Sequence, residues 1–223
     1  MIKAILFDMN GIIIDDEHIH EMAFSKTVEP YDIKLDHQAY LDCCAGRTDR
    51  AGYEQITLKF SKDLPIDELL QQKSQIYLEL FPANKKSYPG VIELIHSLAK
   101  DFLLALTSSS SRKEVGLILR EFEIDSDFKV TISGDDVTKG KPDPEPYLIT
   151  ARKIGVAAQE CIVVEDSRSG VSSAKAAGCY CIGVTTTHTK ENLAKADYVV
   201  DNFFDITPTM IQNFGSLNGS VAH

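Results

Sequence analysis

The chain has 223 residues, of which 43% are hydrophobic and 25% are charged, enough apolar material for one good core and a smaller module. Its formal net charge of -10 and pI near 5.0 argue against nucleic acid as a partner, because phosphate backbones need a basic face. Asp8 interrupts the first apolar run early, and no stretch is typical of a signal peptide or membrane span. We therefore expect no membrane partner.

The cysteines favour a reducing compartment. There are five of them, an odd number, and no two form a Cys-x-x-Cys pair. This usage is typical of buried free thiols rather than of a disulfide framework. We therefore expect a cytoplasmic protein.

The first predicted element is a short strand from Lys3 to Phe7. The run is apolar and ends at Asp8, which suits a strand of a parallel sheet that is buried on both faces. In open α/β sheets ligands bind at the carboxyl ends of the strands, so Asp8 is a candidate for chemistry. A turn that merely caps the strand explains these residues equally well.

The segment from Glu17 to Ser87 has helical periodicity. Apolar residues recur at helical spacing in several stretches, and polar or proline-containing breaks separate them. The predicted helices are Glu17–Val28, His37–Cys44, Arg50–Ser61 and Asp67–Phe81. We interpret residues 16–87 as an inserted small α-helical cap domain.

After Pro89, strands and helices alternate. The predicted strands are Phe102–Thr107, Lys129–Ile132, Cys161–Val164, Tyr180–Val184 and Tyr198–Val200, and the predicted helices are Val91–Leu98, Ser111–Phe122, Pro144–Ile154 and Gly170–Ala177. This alternation predicts an α/β fold with a doubly wound parallel sheet and right-handed crossovers. The core domain then consists of residues 1–15 and 88–223. The Gly-, Ser- and Asn-rich tail from Asn213 to His223 is expected to fray.

A run of hydroxyl side chains, Ser108 to Ser111, follows the second predicted strand and opens a helix. Helix amino termini attract phosphate through unpaired N–H groups and the helix dipole. The plainer interpretation is that Ser110 or Ser111 is the N-cap of the helix, and both interpretations can hold together. We expect this run to lie at the same sheet edge as Asp8.

Two later strand ends also carry charged groups. Lys141 lies in a rigid proline-containing loop, where a solvated loop charge is the plain alternative. Glu165 and Asp166 follow the strand that begins at Cys161. Adjacent acids at the end of a buried strand are unfavourable unless water or a hard cation satisfies them.

Asp8, Ser108, Lys141 and the Glu165-Asp166 pair occur in this order on successive strand ends. The order resembles the four motifs of the haloacid dehalogenase (HAD) superfamily, with Gly-Lys-Pro-Asp-Pro around the lysine. The resemblance covers the whole chain, and the insert is similar to the helical cap of the β-phosphoglucomutase-like phosphatase branch. It implies a Rossmann-like HAD core and a hydrolase, a phosphatase acting on a small phosphorylated metabolite through an aspartyl-phosphate.

The resemblance also implies roles for the residues that would contact phosphate. Asp8 would attack phosphorus, a covalent route open to carboxylates. Lys141 and the Ser108 hydroxyl would neutralise and hold the phosphoryl oxygens. Ser109 and Ser110 would bind the substrate beside them.

By the same resemblance, Mg²⁺ is the expected cofactor. The Asp8 carboxylate, the backbone carbonyl of Asn10 and Asp166 would hold the ion, with Glu165 nearby or acting through water. All are oxygen donors, as this cation prefers.

Asn10 departs from the family's usual first motif, Asp-x-Asp-Gly. The second acid of that motif protonates the leaving oxygen and activates the incoming water, and a carboxamide cannot do this near neutral pH. Losing a general acid–base group lowers the rate about 10²–10⁴-fold. We therefore expect metal and phosphate binding with impaired turnover. A catalytically retired phosphate-binding protein is an alternative.

Within the predicted cap, His20 and Lys73 match a histidine and a lysine of the β-phosphoglucomutase pattern, so both are expected to bind substrate. A packed or solvated His20 is the alternative. The Gly46-Arg47 turn fits the substrate-selecting loop of the branch, but the mutase's arginine lies a few residues later. This shift favours a phosphatase over a sugar-phosphate mutase, which stays an alternative; a dehalogenase would not need the acid pair. We expect a monomer rather than an oligomer.

Overall fold

The computed structural model describes residues 1–44 and 47–217, with side chains up to residue 214. The chain divides into two compact units. The sheet unit contains residues 1–15 and the chain from residue 87 onward, and the helical unit contains residues 16–86.

The sheet unit is built on a six-stranded sheet in which all neighbouring strands are parallel. The strands are β1 Ala4–Phe7, β2 Leu103–Thr107, β3 Phe128–Ile132, β4 Cys161–Glu165, β5 Tyr180–Val184 and β6 Tyr198–Val200. Their order is β3-β2-β1-β4-β5-β6. The strand order reverses between β1 and β4, which is where doubly wound folds bind ligands. The predicted α/β class with a doubly wound parallel sheet is confirmed.

Helices connect the strands and make up the helical unit. They are α1 Glu17–Val28, α2 His37–Cys43, α3 Asp49–Phe60, α4 Ile66–Asn84, α5 Val91–Leu98, α6 Arg112–Glu121, α7 Glu145–Ile154, α8 Arg168–Ala176 and α9 Pro208–Leu217. Among the helices in the described ranges, none combines the length and the apolar character needed to cross a membrane.

The central strands are apolar because both of their faces are covered. Every residue of β1 is fully buried, as expected for a strand in the middle of a parallel sheet. One core cluster joins β1, β4 and β5 to α7 and α8, and its buried members are Ala4, Leu6, Ala105, Tyr147, Ala151, Val156, Cys161, Val163, Val171, Ala174, Ala177, Cys179, Cys181 and Leu193. The cysteines are free and buried, as expected.

Serine caps begin the helices that follow β2 and β4. Ser111 and Glu114 form a reciprocal capping box at the start of α6. The Ser167 hydroxyl accepts a hydrogen bond from Gly170 N at 3.0 Å at the start of α8. These caps turn the chain sharply after each strand, so the residues between strand and helix stay at the edge of the sheet.

The helical unit has a core of its own. Its buried members come from α1 to α4 and their connections, and they are Phe24, Val28, Ile33, Leu35, Ala39, Tyr40, Cys43, Cys44, Tyr53, Ile56, Leu64 and Leu69. Asp36 caps α2 and Thr48 caps α3 through their side-chain oxygens.

The expectation that the tail frays from Asn213 is wrong for the residues up to 217, because α9 spans Pro208–Leu217. The Thr207 hydroxyl accepts a hydrogen bond from a backbone N–H of the first turn at 3.1 Å. Phe214 is buried, and its ring packs edge-on against Tyr180 at a centroid distance of 5.6 Å. Residues 218–223 lie outside the described residues.

Candidate active site

Polar side chains lie at the carboxyl ends of β1, β2 and β4. Asp8 and Ser108 come directly after β1 and β2, and the N–H of each donates to a carbonyl of the neighbouring strand, at 3.0 and 2.9 Å. Glu165 ends β4 and Asp166 follows it. All four side chains belong to buried residues. The parallel register therefore places them at one level of the sheet edge.

Lys141 bridges two of these carboxylates. Its Nζ donates to Asp8 Oδ1 at 2.6 Å and to Glu165 Oε1 at 2.7 Å, and its side chain is 7% exposed. Burial alone would lower the pKa of Lys141, but the charges of Asp8 and Glu165 outweigh it and hold the pKa above its usual value. Lys141 is therefore a charged group fixed inside the site.

Glu165 is held by protein donors on both of its oxygens. Lys141 and the Tyr147 hydroxyl donate to Oε1, and the Asp166 N–H and the Ser167 N–H and hydroxyl donate to Oε2 at 2.9–3.0 Å. Burial alone would raise the pKa of Glu165, but the charge and hydrogen bond of Lys141 lower it overall. Tyr147 was not among the predicted site residues, because a tyrosine in an amphipathic helix is usually a core residue.

Asp166 is fixed from the loop after β5. The Thr187 hydroxyl donates a short hydrogen bond to Asp166 Oδ2, and the Thr186 hydroxyl donates to the Gly11 carbonyl at 2.5 Å. His188 Nδ1 lies 2.8 Å from the Thr187 hydroxyl oxygen. This loop was not among the predicted site segments either, although its row of threonines directly follows an apolar strand at the same sheet edge as Asp8.

Asp8, Glu165 and Asp166 form an acidic cluster in which one carboxylate oxygen of each lies within 4.8 Å of the others. Burial, opposed by Lys141 and reinforced by the charge of Glu165, raises the pKa of Asp8 to about 7. Burial and the charges of Glu165 and Asp8 raise the pKa of Asp166. The single positive charge of Lys141 cannot neutralise three carboxylates, so the cluster carries excess negative charge when all three are ionised. An oxygen-coordinated divalent cation fits this deficit.

Asn10 faces the serine run that opens α6. Its Oδ1 accepts hydrogen bonds from the Ser110 hydroxyl at 2.9 Å and the Ser108 hydroxyl at 3.4 Å. The Ser108 oxygen also accepts from Ser110 N at 3.0 Å. Ser111 is the N-cap, so that part of the prediction is confirmed. Ser109 is exposed and packs its carbonyl so closely against Gly134 that a Cβ there would collide with it.

In the helical unit, His20 and Lys73 contact each other. Lys73 is 1% exposed, and its Nζ lies 2.7 Å from His20 Nδ1 and 2.8 Å from Asp49 Oδ2. His20 Nε2 lies 3.1 Å from Asp16 Oδ2, which also accepts from the Tyr77 hydroxyl at 2.6 Å. The two predicted substrate-binding residues thus belong to one partly buried hydrogen-bonded group.

Gly46 and Arg47 were predicted to form a substrate-selecting turn. Arg47 is exposed, and its Nη1 donates to the Asp42 carbonyl at 3.0 Å. Gly46 lies outside the described residues.

Glycine at position 170 leaves room for Glu165, because a Cβ there would overlap Glu165 Oε1. Alanine normally stabilises a helix relative to glycine by about 0.5–1 kcal/mol. We expect Gly170→Ala instead to destabilise the protein by about 1–3 kcal/mol, because Glu165 must move. The measurement is urea unfolding. The matched control is Gly116→Ala in α6, where the nearest side-chain atom is the flexible end of Arg120 and no loss is expected. Equal effects at both positions would contradict this role for Gly170.

The fold and the site define an α/β protein with an acidic cluster and a buried lysine at the switch point of a parallel sheet. Residues 5–184 match the family model described as haloacid dehalogenase-like hydrolase. The chain therefore belongs to this family, in its phosphoglucomutase-like branch.

Named relatives cover nearly the whole chain. It is 30% identical over 208 residues to the validoxylamine A 7'-phosphate phosphatase of Streptomyces hygroscopicus subsp. limoneus, covering 92% of this chain and 96% of that protein. It is 28% identical to the beta-phosphoglucomutase of Bacillus subtilis, covering 92% of each. Its fold is similar to that of CbbY from Rhodobacter sphaeroides in complex with phosphate, with a TM-score of 0.80, 28% identity, and coverage of 91% and 95%.

Proposed function

We propose that this chain is a magnesium-dependent phosphatase that hydrolyses a small phosphorylated metabolite through an aspartyl-phosphate on Asp8. The observation that carries the proposal is Lys141 Nζ, 2.6 Å from Asp8 and 2.7 Å from Glu165 in the acidic cluster. Phosphoryl transfer needs a positioned nucleophile and neutralisation of charge, and this arrangement offers both. The phosphatase relative and the CbbY complex with phosphate support the same chemistry.

Different residues around Asp8 would orient the nucleophile and bind the phosphoryl oxygens. Lys141, itself oriented by Glu165, holds Asp8 Oδ1 and so fixes the direction of the attacking carboxylate. Its charge then stabilises the phosphoryl oxygens. The Ser108 hydroxyl and the serines that follow it, Ser109 and Ser110, lie at the start of α6, where N–H groups and the helix dipole favour an anion.

The carboxylates of Asp8 and Asp166 and the backbone carbonyl of Asn10 would hold Mg²⁺. When bound, the ion supplies Lewis-acid stabilisation of negative charge on the phosphoryl group. Glu165 stays beside this site as a positioning residue or a ligand through water, because protein donors already occupy both of its oxygens.

We further propose that the helical unit acts as the cap domain and that His20, Lys73 and Arg47 bind the substrate there. Lys73 is buried against acidic Asp49, so its ammonium is already oriented before any substrate arrives. The buried free cysteines support a cytoplasmic location, and we propose a monomer.

A catalytically retired phosphate-binding protein is the second candidate. The observation that favours it is Asn10, because a carboxamide in this place keeps the backbone carbonyl for the metal but removes the acid–base group.

Phosphate release tests the proposed function. With Mg²⁺ we expect slow release of phosphate from at least one acyl, aryl or alkyl phosphate, and none with EDTA or in Asp8→Ala. Asp42→Asn, in an exposed ion pair of the helical unit, is the matched acid control and should behave as the unmodified protein. Release that survives in Asp8→Ala would exclude the aspartyl-phosphate route.

Thr187 is expected to strengthen metal binding without touching the ion. Thr187→Val removes the donor to Asp166 Oδ2, and the loss of such a supporting hydrogen bond typically lowers metal affinity about 10–100-fold. Isothermal titration with Mg²⁺ measures the effect. Asp166→Asn should abolish binding, and Thr189→Val, in the same loop, should leave it unchanged. An unchanged affinity in Thr187→Val would remove Thr187 from the site.

A further inference from the structure

We propose, building on the Mg²⁺ site of the proposed function, that His188 is a positioning residue for Asp166 and acts through Thr187. Hydrogen bonds connect the three side chains in sequence. His188 Nδ1 lies 2.8 Å from the Thr187 hydroxyl oxygen, and that hydroxyl donates to Asp166 Oδ2. The hydrogen bonds run in one direction, from the imidazole through the hydroxyl to the carboxylate. His188 therefore supports a metal ligand without touching the ion.

The direction follows from the protons that each group carries. A carboxylate that binds a metal ion is ionised and only accepts hydrogen bonds. The single hydroxyl proton of Thr187 is therefore committed to Asp166 Oδ2, and the hydroxyl oxygen can only accept from His188. The imidazole must carry a proton on Nδ1, whether or not Nε2 is also protonated.

The surroundings of His188 leave this choice of tautomer to Thr187. The imidazole is partly exposed and lines an open cleft of about 390 Å³, together with the threonines of the loop, Lys190 and Asp201. Lys190 and Asp201 form an ion pair with each other at 2.7 Å. Within the described residues, the hydrogen-bond partner of His188 is Thr187. The contact with Thr187 therefore decides which ring nitrogen carries the proton when the ring is neutral.

The loop after β5 is anchored beside Asp166. The Thr186 hydroxyl donates to the Gly11 carbonyl at 2.5 Å, and a Cβ at Gly11 would collide with the Asp166 carboxylate. Asp166 thus lies between Gly11 and Thr187. A hydroxyl group can rotate its proton away from an acceptor. The hydrogen bond from His188 occupies the hydroxyl oxygen and so keeps the Thr187 proton directed at Asp166.

Isothermal titration of the full chain with Mg²⁺ tests this role. His188→Ala removes the donor, and we expect the affinity for Mg²⁺ to fall about 2–10-fold, as for one hydrogen bond between neutral groups. His188→Asn places an amide N–H close to the position of Nδ1 and should restore the affinity. His188→Gln carries its amide one bond further from the backbone and should not.

Two further variants show whether the effect passes through Thr187. In the Thr187→Val background, His188→Ala should cause no additional loss of affinity, because the connection is already broken. His37→Ala is the matched control, since His37 lies in the helical unit with its side chain 72% exposed, and it should bind Mg²⁺ as the unmodified protein does.

Nitrogen NMR of the Mg²⁺-loaded protein reads the tautomer of His188 independently of activity. At a pH where the imidazole is neutral, we expect the Nδ1–H form in the unmodified protein and loss of this preference in Thr187→Val.

The outcomes separate this inference from the function on which it rests. An Nε2–H tautomer, or an unchanged Mg²⁺ affinity in His188→Ala, would overturn the role of His188 and leave the metal site intact. Equal losses in His188→Ala and His188→Asn would also overturn it, because they would indicate packing rather than hydrogen bonding. If the unmodified protein binds no Mg²⁺, the proposed metal site fails and the inference fails with it.

Discussion

Replacing Asn10 with aspartate is expected to raise the steady-state hydrolysis of alkyl phosphate esters about 10²–10⁴-fold. The new carboxyl group would stand beside the Ser108 and Ser110 hydroxyls and supply the acid–base group that the family's usual first motif carries. The gain should fall mainly on kcat, because the groups assigned to metal and phosphate are unchanged. Phosphate release measured across a panel of sugar and polyol phosphates gives the comparison.

The control for this prediction is Asn10→Ala, which removes the carboxamide without adding an acid and should show no gain. The Asn10-Gly11 dipeptide is prone to deamidation, so the mass of this peptide must be checked in every preparation. A deamidated fraction would mimic the aspartate variant. Equal rates for the asparagine and aspartate proteins would show that position 10 takes no part in proton transfer.

Replacing Lys141 with methionine should destabilise the protein by about 3–5 kcal/mol and stop phosphoryl transfer. Lys141 is the partner of Asp8 and of fully buried Glu165, and its removal leaves two carboxylates close together without their cation. Both effects have one cause, the loss of a buried charge held between two acids. Urea unfolding measures the stability, and intact mass after acetyl phosphate measures the transfer.

A second variant separates folding from chemistry. Lys141→Met with Glu165→Gln removes one unpaired charge, so we expect it to recover part of the stability and none of the transfer. Lys139→Met is the matched control, because Lys139 lies in the same loop with its side chain 69% exposed, and should change neither quantity. Retained phosphorylation in a folded Lys141→Met protein would remove Lys141 from the mechanism.

The sheet could be predicted from the sequence because its strands are short apolar runs buried on both faces, each followed by a cap or turn signal. The helix α9 was missed although Met210, Ile211 and Phe214 stand at helical spacing, because glycine, serine and asparagine dominate the chain from residue 213 onward. The ring of Phe214 packs against Tyr180, a residue distant in the chain. Composition favoured fraying for that stretch, and tertiary packing outweighed it.

The proximity of Asp8, Glu165 and Asp166 could be predicted because parallel strands end at one edge of the sheet. Lys141 lies in the connection between β3 and α7, so its contact with Asp8 was expected only from the resemblance to the family motifs. The side chains that hold these residues in place could not be predicted from the sequence. Thr187 reaches Asp166 only because of the path of the loop after β5, and threonines are ordinary in loops. Likewise, the match of Lys73 to a family position gave no sign that it contacts His20, 53 residues away.

A crystal structure of the protein with Mg²⁺ and beryllium fluoride, which mimics a phosphoryl group on aspartate, tests the central claim most directly. We expect the beryllium fluoride group to be attached to Asp8 within hydrogen-bonding reach of Lys141. We expect Mg²⁺ to be bound by Asp8, Asp166 and the Asn10 carbonyl. An ion bound away from Asp166, or a fluoride group that leaves Asp8 unmodified, would contradict the account.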